Sequence, residues 1–202
     1  MSITVSKTRE TLVDVARQLF ARMGVDNTTM NDIAQASNKG RRTLYTYFKS
    51  KDDIFAAVIE SELDKLLEVL QDIASKDLPA DEKLITFIYK RLDAVKLVVF
   101  RNGTLRARFF RDIWRVEKAR KKFDNKETEI IKNILDYGVS EGIFSVPNTD
   151  FTALIIHHAL KGIEVPYIRG FLGDSDEERK LQKKNVMNLI LNGIKIDKTK
   201  CT

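Results

Sequence analysis

The side chains best suited to chemistry lie in one stretch, from Thr28 to Asp52, which reads TTMNDIAQASNKGRRTLYTYFKSKD. Two short helical patterns occur there, separated by a break from Ser37 to Gly40. Isolated helices below about 12 residues are marginal in water, so both must pack on other parts of the chain. The side chains left outward are cationic or hydroxylic: Lys39, Arg41, Arg42, Thr43, Tyr45, Tyr47 and Lys51. Such a surface suits the phosphates and base edges of a nucleic acid.

These residues also have plainer interpretations. Tyr45 and Tyr47 could be partly buried core aromatics, because a tyrosine can pack its ring and still offer its hydroxyl. A single lysine such as Lys39 or Lys51 is most often simply solvated. The charge distribution favours the nucleic-acid interpretation, since residues 1–51 hold nine Lys and Arg against four Asp and Glu. The net charge of the whole chain is only +6, so the excess is concentrated in this basic module, as in polyanion binders.

The periodicity of the chain predicts an all-α protein. Apolar residues recur at helical spacing, and only three prolines and nine glycines interrupt 202 residues. About nine helices are expected, near 6–23, 29–36, 40–48, 51–75, 80–99, 104–122, 124–141, 148–163 and 175–194, with a connector at 164–173. Two [ST]-x-x-[DE] capping boxes, Thr29 with Asp32 and Ser50 with Asp53, bracket the basic stretch. Its boundaries are therefore encoded locally.

Several classes of protein are disfavoured. A single cysteine, Cys201, allows no disulfide within the chain, and there is neither a long apolar run nor a signal-peptide core. We therefore expect a cytoplasmic protein with no membrane partner. No catalytic motif or glycine-rich phosphate loop is present, so neither an enzyme nor a cofactor is expected. His157 and His158 are adjacent, about 100° apart on a helix, and the sequence around them predicts no metal site.

The first fifty residues resemble the tetracycline-repressor (TetR) family of bacterial transcription regulators. The pattern that carries the resemblance is Ala16…Leu19-Phe20…Gly24…Thr28-Thr29…Ile33-Ala34…Gly40…Leu44-Tyr45-Thr46-Tyr47-Phe48-Lys49-Ser50-Lys51. It covers about a quarter of the chain. The resemblance implies a helix-turn-helix DNA-binding domain at 1–50, a ligand-binding and dimerisation domain at 51–195, and a tail at 196–202. It also implies a ligand-responsive regulator, a repressor by preference over an activator, that binds a palindromic operator as a homodimer.

The resemblance also assigns roles within the basic stretch. Base readers would be Arg41, Arg42 and Thr43, with Asn31 reaching in from the preceding helix. Phosphate contacts would come from Thr29, Lys39, Tyr45, Tyr47 and Lys51. One departure concerns the turn, where Gly40 stands at a position that in the family is usually a capping serine, followed by two arginines. The fold is expected to survive this change, but the operator sequence cannot be carried over.

In the family, the last two helices pair across a two-fold axis, and the helices before them enclose an effector pocket. The dimer-interface candidates are Ile155, Ala159, Ile163, Val186, Leu189, Ile190 and Gly193, unless these residues face only their own core. The pocket candidates are Phe87, Arg106, Phe110, Trp114 and His158. The effector itself is not indicated by the sequence.

A basic stripe, formed by Arg108, Arg111, Arg115, Lys118 and Lys122, runs along the predicted helix at 104–122. It could be a solvated face. It could instead be a pocket wall in which an arginine anchors an anionic ligand beside Phe110 and Trp114. A third interpretation is a membrane-binding surface. That last one supports an alternative function, a helical carrier of lipids or small molecules.

Overall fold

The computed structural model describes residues 2–101 and 113–171, and single helical residues at 177, 178, 181, 185, 188, 189, 192 and 194. The helices are α1 (Ser2–Met23), α2 (Met30–Ala36), α3 (Arg41–Tyr47), α4 (Lys51–Ser75), α5 (Ala80–Arg101), α6 (Ile113–Ser140) and α7 (Thr149–Ile168). No strand occurs in the described residues, so the predicted all-α class is confirmed. The predicted number of about nine helices is not matched, since seven are found there.

Two of the predicted boundaries are wrong. A break was expected near residue 123, but α6 runs through it from Ile113 to Ser140. The polar run there contains neither glycine nor proline, so nothing stops the helix. A connector was expected from Glu164, but α7 continues through Pro166. Proline removes one backbone donor, whose acceptor would be the carbonyl of Gly162. Gly162 is exposed, so water can satisfy that carbonyl.

The chain divides into two compact units. The first comprises Met1–Lys65 with Leu97–Phe123, and the second comprises Leu66–Lys96 with Asp124–Thr202. The core of the first unit is built on an apolar stripe along α1, of which Leu12 and Phe20 are fully buried. The rings of Phe20 and Phe55 meet edge to face, with centroids 6.2 Å apart. This packing supplies the surface on which the short helices α2 and α3 depend.

In the second unit, α6 ends in a tight turn that brings Phe144 back over Gly138. The carbonyl of Gly138 accepts hydrogen bonds from the backbone N–H groups of Ile143 and Phe144, at 2.8 and 2.9 Å. Gly142 supports the turn with a left-handed φ of +65°. A Cβ added at Gly138 would lie 2.1 Å from the ring of Phe144 and 2.9 Å from Ala80. No side chain fits at position 138.

Gly138→Ala is therefore expected to lower the free energy of unfolding by about 1–3 kcal/mol, the usual cost of overpacking a core. The measurement is denaturant unfolding followed by circular dichroism. Adding Phe144→Leu to Gly138→Ala makes room for the methyl group, so this double variant is expected to be more stable than Gly138→Ala with Phe144 intact. A neutral or stabilising effect of Gly138→Ala would contradict the close approach of Phe144.

Candidate nucleic-acid interface

The start of α2 is fixed by two residues, Thr29 and Asp32. Thr29 Oγ1 accepts a hydrogen bond from the backbone N–H of Asp32 at 3.1 Å, and Asp32 Oδ2 accepts one from the N–H of Thr29 at 2.8 Å. The predicted capping box is thereby confirmed. The backbone N–H of Thr29 and then its hydroxyl, which also donates to Asp32 Oδ2 at 2.8 Å, lower the pKa of Asp32. The stabilisation is present above the unfolded-state pKa of this carboxyl and is lost as the pH falls through the folded-state pKa.

The turn that follows reverses the chain without a side-chain cap. Asn38 adopts a left-handed φ of 53°, which asparagine tolerates better than most residues. The N–H of Lys39 then donates to the carbonyl of Ala34 at 3.0 Å. Gly40 precedes α3 in an extended conformation. It makes no side-chain cap, as expected for a residue without a side chain. The position of α3 is thus set by the turn and by what α3 buries.

Two residues hold α3 on the core. Leu44 is fully buried, and Phe48, just after the helix, is 3% exposed. Tyr47 is half-buried and packs against the same core, which favours the structural interpretation for this tyrosine. Tyr45 has 44% of its surface exposed and points away from the core.

The outer surface of this element carries cations that are not paired. Lys39, Arg41 and Arg42 are exposed, and within the described part of the chain their side chains form no ion pair or hydrogen bond. Asn31 on α2 is exposed as well, and Thr43 is half-buried. A guanidinium in this state can bind a phosphate or a guanine edge without breaking contacts within the protein. We call Asn31, Lys39, Arg41, Arg42, Thr43 and Tyr45 the basic surface.

Lys51 was expected to contact phosphate, but its ammonium is directed at backbone carbonyls of the protein itself. Its ammonium donates to the carbonyls of Val25 (2.6 Å), Asp26 (3.2 Å) and Thr28 (2.8 Å). All three of its donors are therefore engaged by the loop between α1 and α2. The capping box of Ser50 and Asp53, which starts α4, is confirmed by reciprocal bonds at 3.0 and 3.2 Å. Lys51 thus fastens the loop to the first turn of α4.

Lys51→Met is expected to destabilise the protein in the absence of DNA by about 1–3 kcal/mol, because it removes charge-assisted hydrogen bonds and leaves carbonyls without their donor. Thermal unfolding without DNA measures this effect. Lys49→Met is the matched control, since Lys49 is exposed and only its backbone N–H forms a bond among the described residues. Equal stability of Lys51→Met and Lys49→Met would show that the loop does not depend on Lys51.

The dimer-interface candidates fall into three groups. Ile155 and Ala159 lie on an outward face of α7, which we call the α7 apolar face; its exposed members are Phe151, Leu154, Ile155, His158, Ala159 and Gly162. Ile163 is half-buried, and Leu189 is 79% exposed. Val186, Ile190 and Gly193 lie outside the described residues. Successive members of the face follow helical spacing, so they form one stripe.

The pocket candidates are divided in a similar way. Phe87 is fully buried on α5, and His158 lies on the exposed face of α7, whereas the neighbouring His157 is 3% exposed. Arg106 and Phe110 lie outside the described residues, as does the side chain of Trp114. Of the basic stripe, Lys122 is exposed and the other members fall outside the described side chains.

A buried charged cluster in the second unit was not anticipated. Arg91 on α5 is fully buried and binds Glu127 of α6 (Nε to Oε1, 2.6 Å) and Glu164 of α7 (Nη2 to Oε1, 2.5 Å). His157 Nδ1 lies 2.7 Å from Glu127 Oε2. Burial alone would raise the pKa of Glu127, but the hydrogen bond of His157 and the charge and hydrogen bonds of Arg91 outweigh it and lower that pKa.

One pattern in the sequence could have revealed this cluster. Glu127 lies three, four and seven residues before the buried Ile130, Ile131 and Ile134, so it stands on the apolar face of its helix. A carboxylate on a core face needs a buried partner. The identity of the partner could not be deduced, because Arg91 is 36 residues away.

Two short helices joined by a tight turn, the second beginning with cations that have no partner in the described part of the chain, define a helix-turn-helix DNA-binding protein. Within the described residues, no helix has the length and apolar character needed to cross a membrane.

The comparisons with known proteins agree with this class. Residues 12–58 match the family described as bacterial regulatory proteins, tetR family. The transcriptional regulator YhgD of Bacillus subtilis is 22% identical over 153 residues, which span 73% of this chain and 78% of YhgD. The transcriptional repressor KstR2 of Rhodococcus jostii is 34% identical over 89 residues, 43% of this chain and 44% of KstR2.

The similarity extends to whole structures. A transcriptional regulator from Cytophaga hutchinsonii superposes with a TM-score of 0.73 at 26% identity, over 93% of this chain and 98% of that one. Residues 12–58 therefore form a DNA-binding domain of the tetR family of bacterial regulatory proteins, and the chain as a whole is similar in fold to a transcriptional regulator. Its relatives are transcriptional regulators and not enzymes.

Proposed function

We propose that this protein is a ligand-responsive transcriptional repressor that binds a palindromic operator as a homodimer. The observation that carries the proposal is the basic surface, where Arg41 and Arg42 are exposed and unpaired among the described residues at the start of α3. In a helix-turn-helix, the N-terminal residues of the second helix contact base edges in the major groove. The relative KstR2 is a transcriptional repressor, which supports repression over activation as the effect of this protein.

Within the basic surface, we assign base contacts to Arg41, Arg42 and Thr43, with Asn31 beside them. Lys39 and Tyr45 are assigned to the phosphates, which fix register and make binding salt-dependent. Thr29, Tyr47 and Lys51 act through the protein: their bonds and packing hold α2, α3 and the α1–α2 loop in place.

A homodimer follows from the size of the module. One module of this kind buries only about 600–1,000 Å² of protein surface on DNA, which is small for tight specific binding. Two copies related by a two-fold axis would bind half-sites about 34–36 Å apart, or a multiple of that distance. The α7 apolar face supports pairing, because Phe151 is 61% and Ile155 53% exposed on one stripe.

The effector is assigned to the second unit. Buried ionic groups cost stability unless they are fully paired, and groups with shifted pKa values are enriched at binding sites. The cluster of Arg91, Glu127, His157 and Glu164, with the buried Phe87 on the same helix as Arg91, supports a binding role for this region. We assign a small organic molecule as the effector and leave its identity to screening.

The decisive experiment measures DNA binding by fluorescence polarisation, with duplexes from the region upstream of the protein's own gene and with scrambled duplexes. Wild type is expected to select one palindromic site and to bind it more weakly as salt rises. Arg42→Ala is expected to lose about 1–3 kcal/mol of discrimination at one base pair per half-site. Transcription in vitro from the selected promoter should fall as protein is added.

Arg22→Ala is the matched control, since Arg22 is exposed in the last turn of α1, outside the basic surface, and its loss changes the charge equally. It is expected to retain the base preference of wild type. If Arg42→Ala keeps the same preference as well, the assignment of α3 as the base-contacting helix is wrong. Strong co-sedimentation with anionic vesicles and no selection among duplexes would instead support the carrier alternative.

A further inference from the structure

We propose that Asp124 of α6 and His157 of α7 bind a divalent first-row transition-metal ion, with Glu127 of α6 holding the histidine ring in the ligating orientation. One ligand atom from each of these three side chains can be chosen so that all lie within 4.8 Å of one another. The side chains of Glu127 and His157 are buried, and that of Asp124 is 17% exposed. The three residues therefore converge at one largely dry place in the second unit.

The orientation of His157 fits metal binding. An ionised carboxylate can only accept hydrogen bonds, so the contact between His157 Nδ1 and Glu127 Oε2, at 2.7 Å, places a proton on Nδ1. In the neutral ring this leaves the lone pair on Nε2, as in metal sites where a carboxylate orients the ligating histidine. His157 Nε2 lies 4.0 Å from Asp124 Oδ2. Two ligand atoms, each about 2.0–2.2 Å from one ion, can be up to ~4.3 Å apart, so little movement is needed.

The charges around the site also favour a cation. Three carboxylates, those of Glu127, Glu164 and Asp124, lie here beside two cations that contact them, Arg91 and Lys161. Lys161 Nζ lies 3.0 Å from Asp124 Oδ2, and its side chain is 21% exposed. A divalent ion can take the place of this ammonium beside Asp124, because the flexible lysine can turn to solvent. Lys161 is therefore a competitor of the ion.

The donor set selects the class of ion. One imidazole with one carboxylate, completed by water, suits Zn²⁺, Fe²⁺, Co²⁺ or Mn²⁺, whereas Ca²⁺ and Mg²⁺ prefer oxygen ligands alone. The spacing of the sequence could not predict this site. Both carboxylates lie on a different helix from His157, with Glu127 30 residues away, and the adjacent His158 lies on the outer face of α7.

The test titrates tag-free protein in a Cys201→Ser background with Co²⁺, followed by visible absorbance, and with Zn²⁺ by calorimetry. One ion per chain is expected. Asp124→Asn is expected to weaken binding by at least the ~10–100-fold that loss of an outer-sphere partner costs. Lys161→Gln removes the competitor and is expected to tighten binding. His158→Gln is the matched control and is expected to bind like the parent.

Circular dichroism of each variant separates loss of binding from loss of fold. A cluster that is purely structural would give lower melting temperatures for Asp124→Asn and Lys161→Gln with no change in metal affinity, and that result would overturn the proposal. Absence of binding by the parent, or equal loss in His158→Gln, would overturn it as well. No arm of the experiment uses DNA, so its outcome is independent of the proposed repressor function.

Discussion

The double variant Leu154→Glu/Ile155→Glu is expected to be monomeric and to bind operator DNA about 100-fold or more weakly than wild type. Leu154 is 43% and Ile155 53% exposed on the α7 apolar face. Across a two-fold axis the same patch meets itself, so four carboxylates would face one another in the dimer. Two linked modules can gain 10²–10⁴-fold in affinity over one, and a monomer forfeits that gain.

The assembly state is measured by sedimentation, the affinity by polarisation and the fold by circular dichroism. Exposed substitutions usually change stability by less than about 0.5 kcal/mol, so the monomer should stay folded. The matched control is Val69→Glu/Val139→Glu, which places two carboxylates at positions that are 46% and 41% exposed on α4 and α6. This control is expected to remain dimeric. If Leu154→Glu/Ile155→Glu remains a dimer and binds DNA as tightly as wild type, the dimer interface does not include the α7 apolar face.

Arg91→Met is expected to lower the free energy of unfolding by about 3–5 kcal/mol, the usual cost of breaking a buried ion pair from one side. The guanidinium of Arg91 is fully buried and reaches both Glu127 and Glu164. Its loss leaves the buried carboxylates of Glu127 and Glu164 without the guanidinium that pairs with both of them. Lys90→Met is the matched control, because Lys90 is exposed on the same turn of α5.

Denaturant unfolding measures both variants. Arg91→Met combined with Glu127→Gln and Glu164→Gln removes the uncompensated charges, and this combination is expected to be more stable than Arg91→Met with both carboxylates intact. The folded-state pKa of Glu127 is lowered. In wild type its contribution is therefore complete above the unfolded-state pKa and disappears as the pH falls through the folded-state pKa. If Arg91→Met lowers the free energy of unfolding no more than Lys90→Met does, the buried charged cluster does not stabilise the folded protein.

Features encoded by neighbouring residues could be predicted from the sequence. The caps at Thr29 and Ser50 need only a partner three residues away, and both are present. The apolar stripe of α1 and the inward pair Leu44 and Phe48 follow from the helical period, and they are buried. The absence of a side-chain cap at Gly40 could also be predicted, because glycine has no side chain to accept the hydrogen bond.

Features that depend on distant residues could not be predicted. The three carbonyl partners of Lys51 lie 23–26 residues away, so its sequence context indicated a phosphate ligand instead. His157 meets Glu127 across 30 residues, which no local pattern encodes. The connector predicted at 164–173 contains Pro166, but a proline near the end of a helix can be tolerated where the freed carbonyl is exposed.

The way α3 is held has a consequence for how operator preference can evolve. Its attachment to the protein rests on Leu44 and Phe48, while Arg41, Arg42 and Tyr45 contribute little to the core. Substitutions at exposed positions usually cost little stability. Duplicated copies of such a gene could therefore drift to new DNA sites without first losing the fold, and each regulator could change its targets while keeping the rest of its architecture.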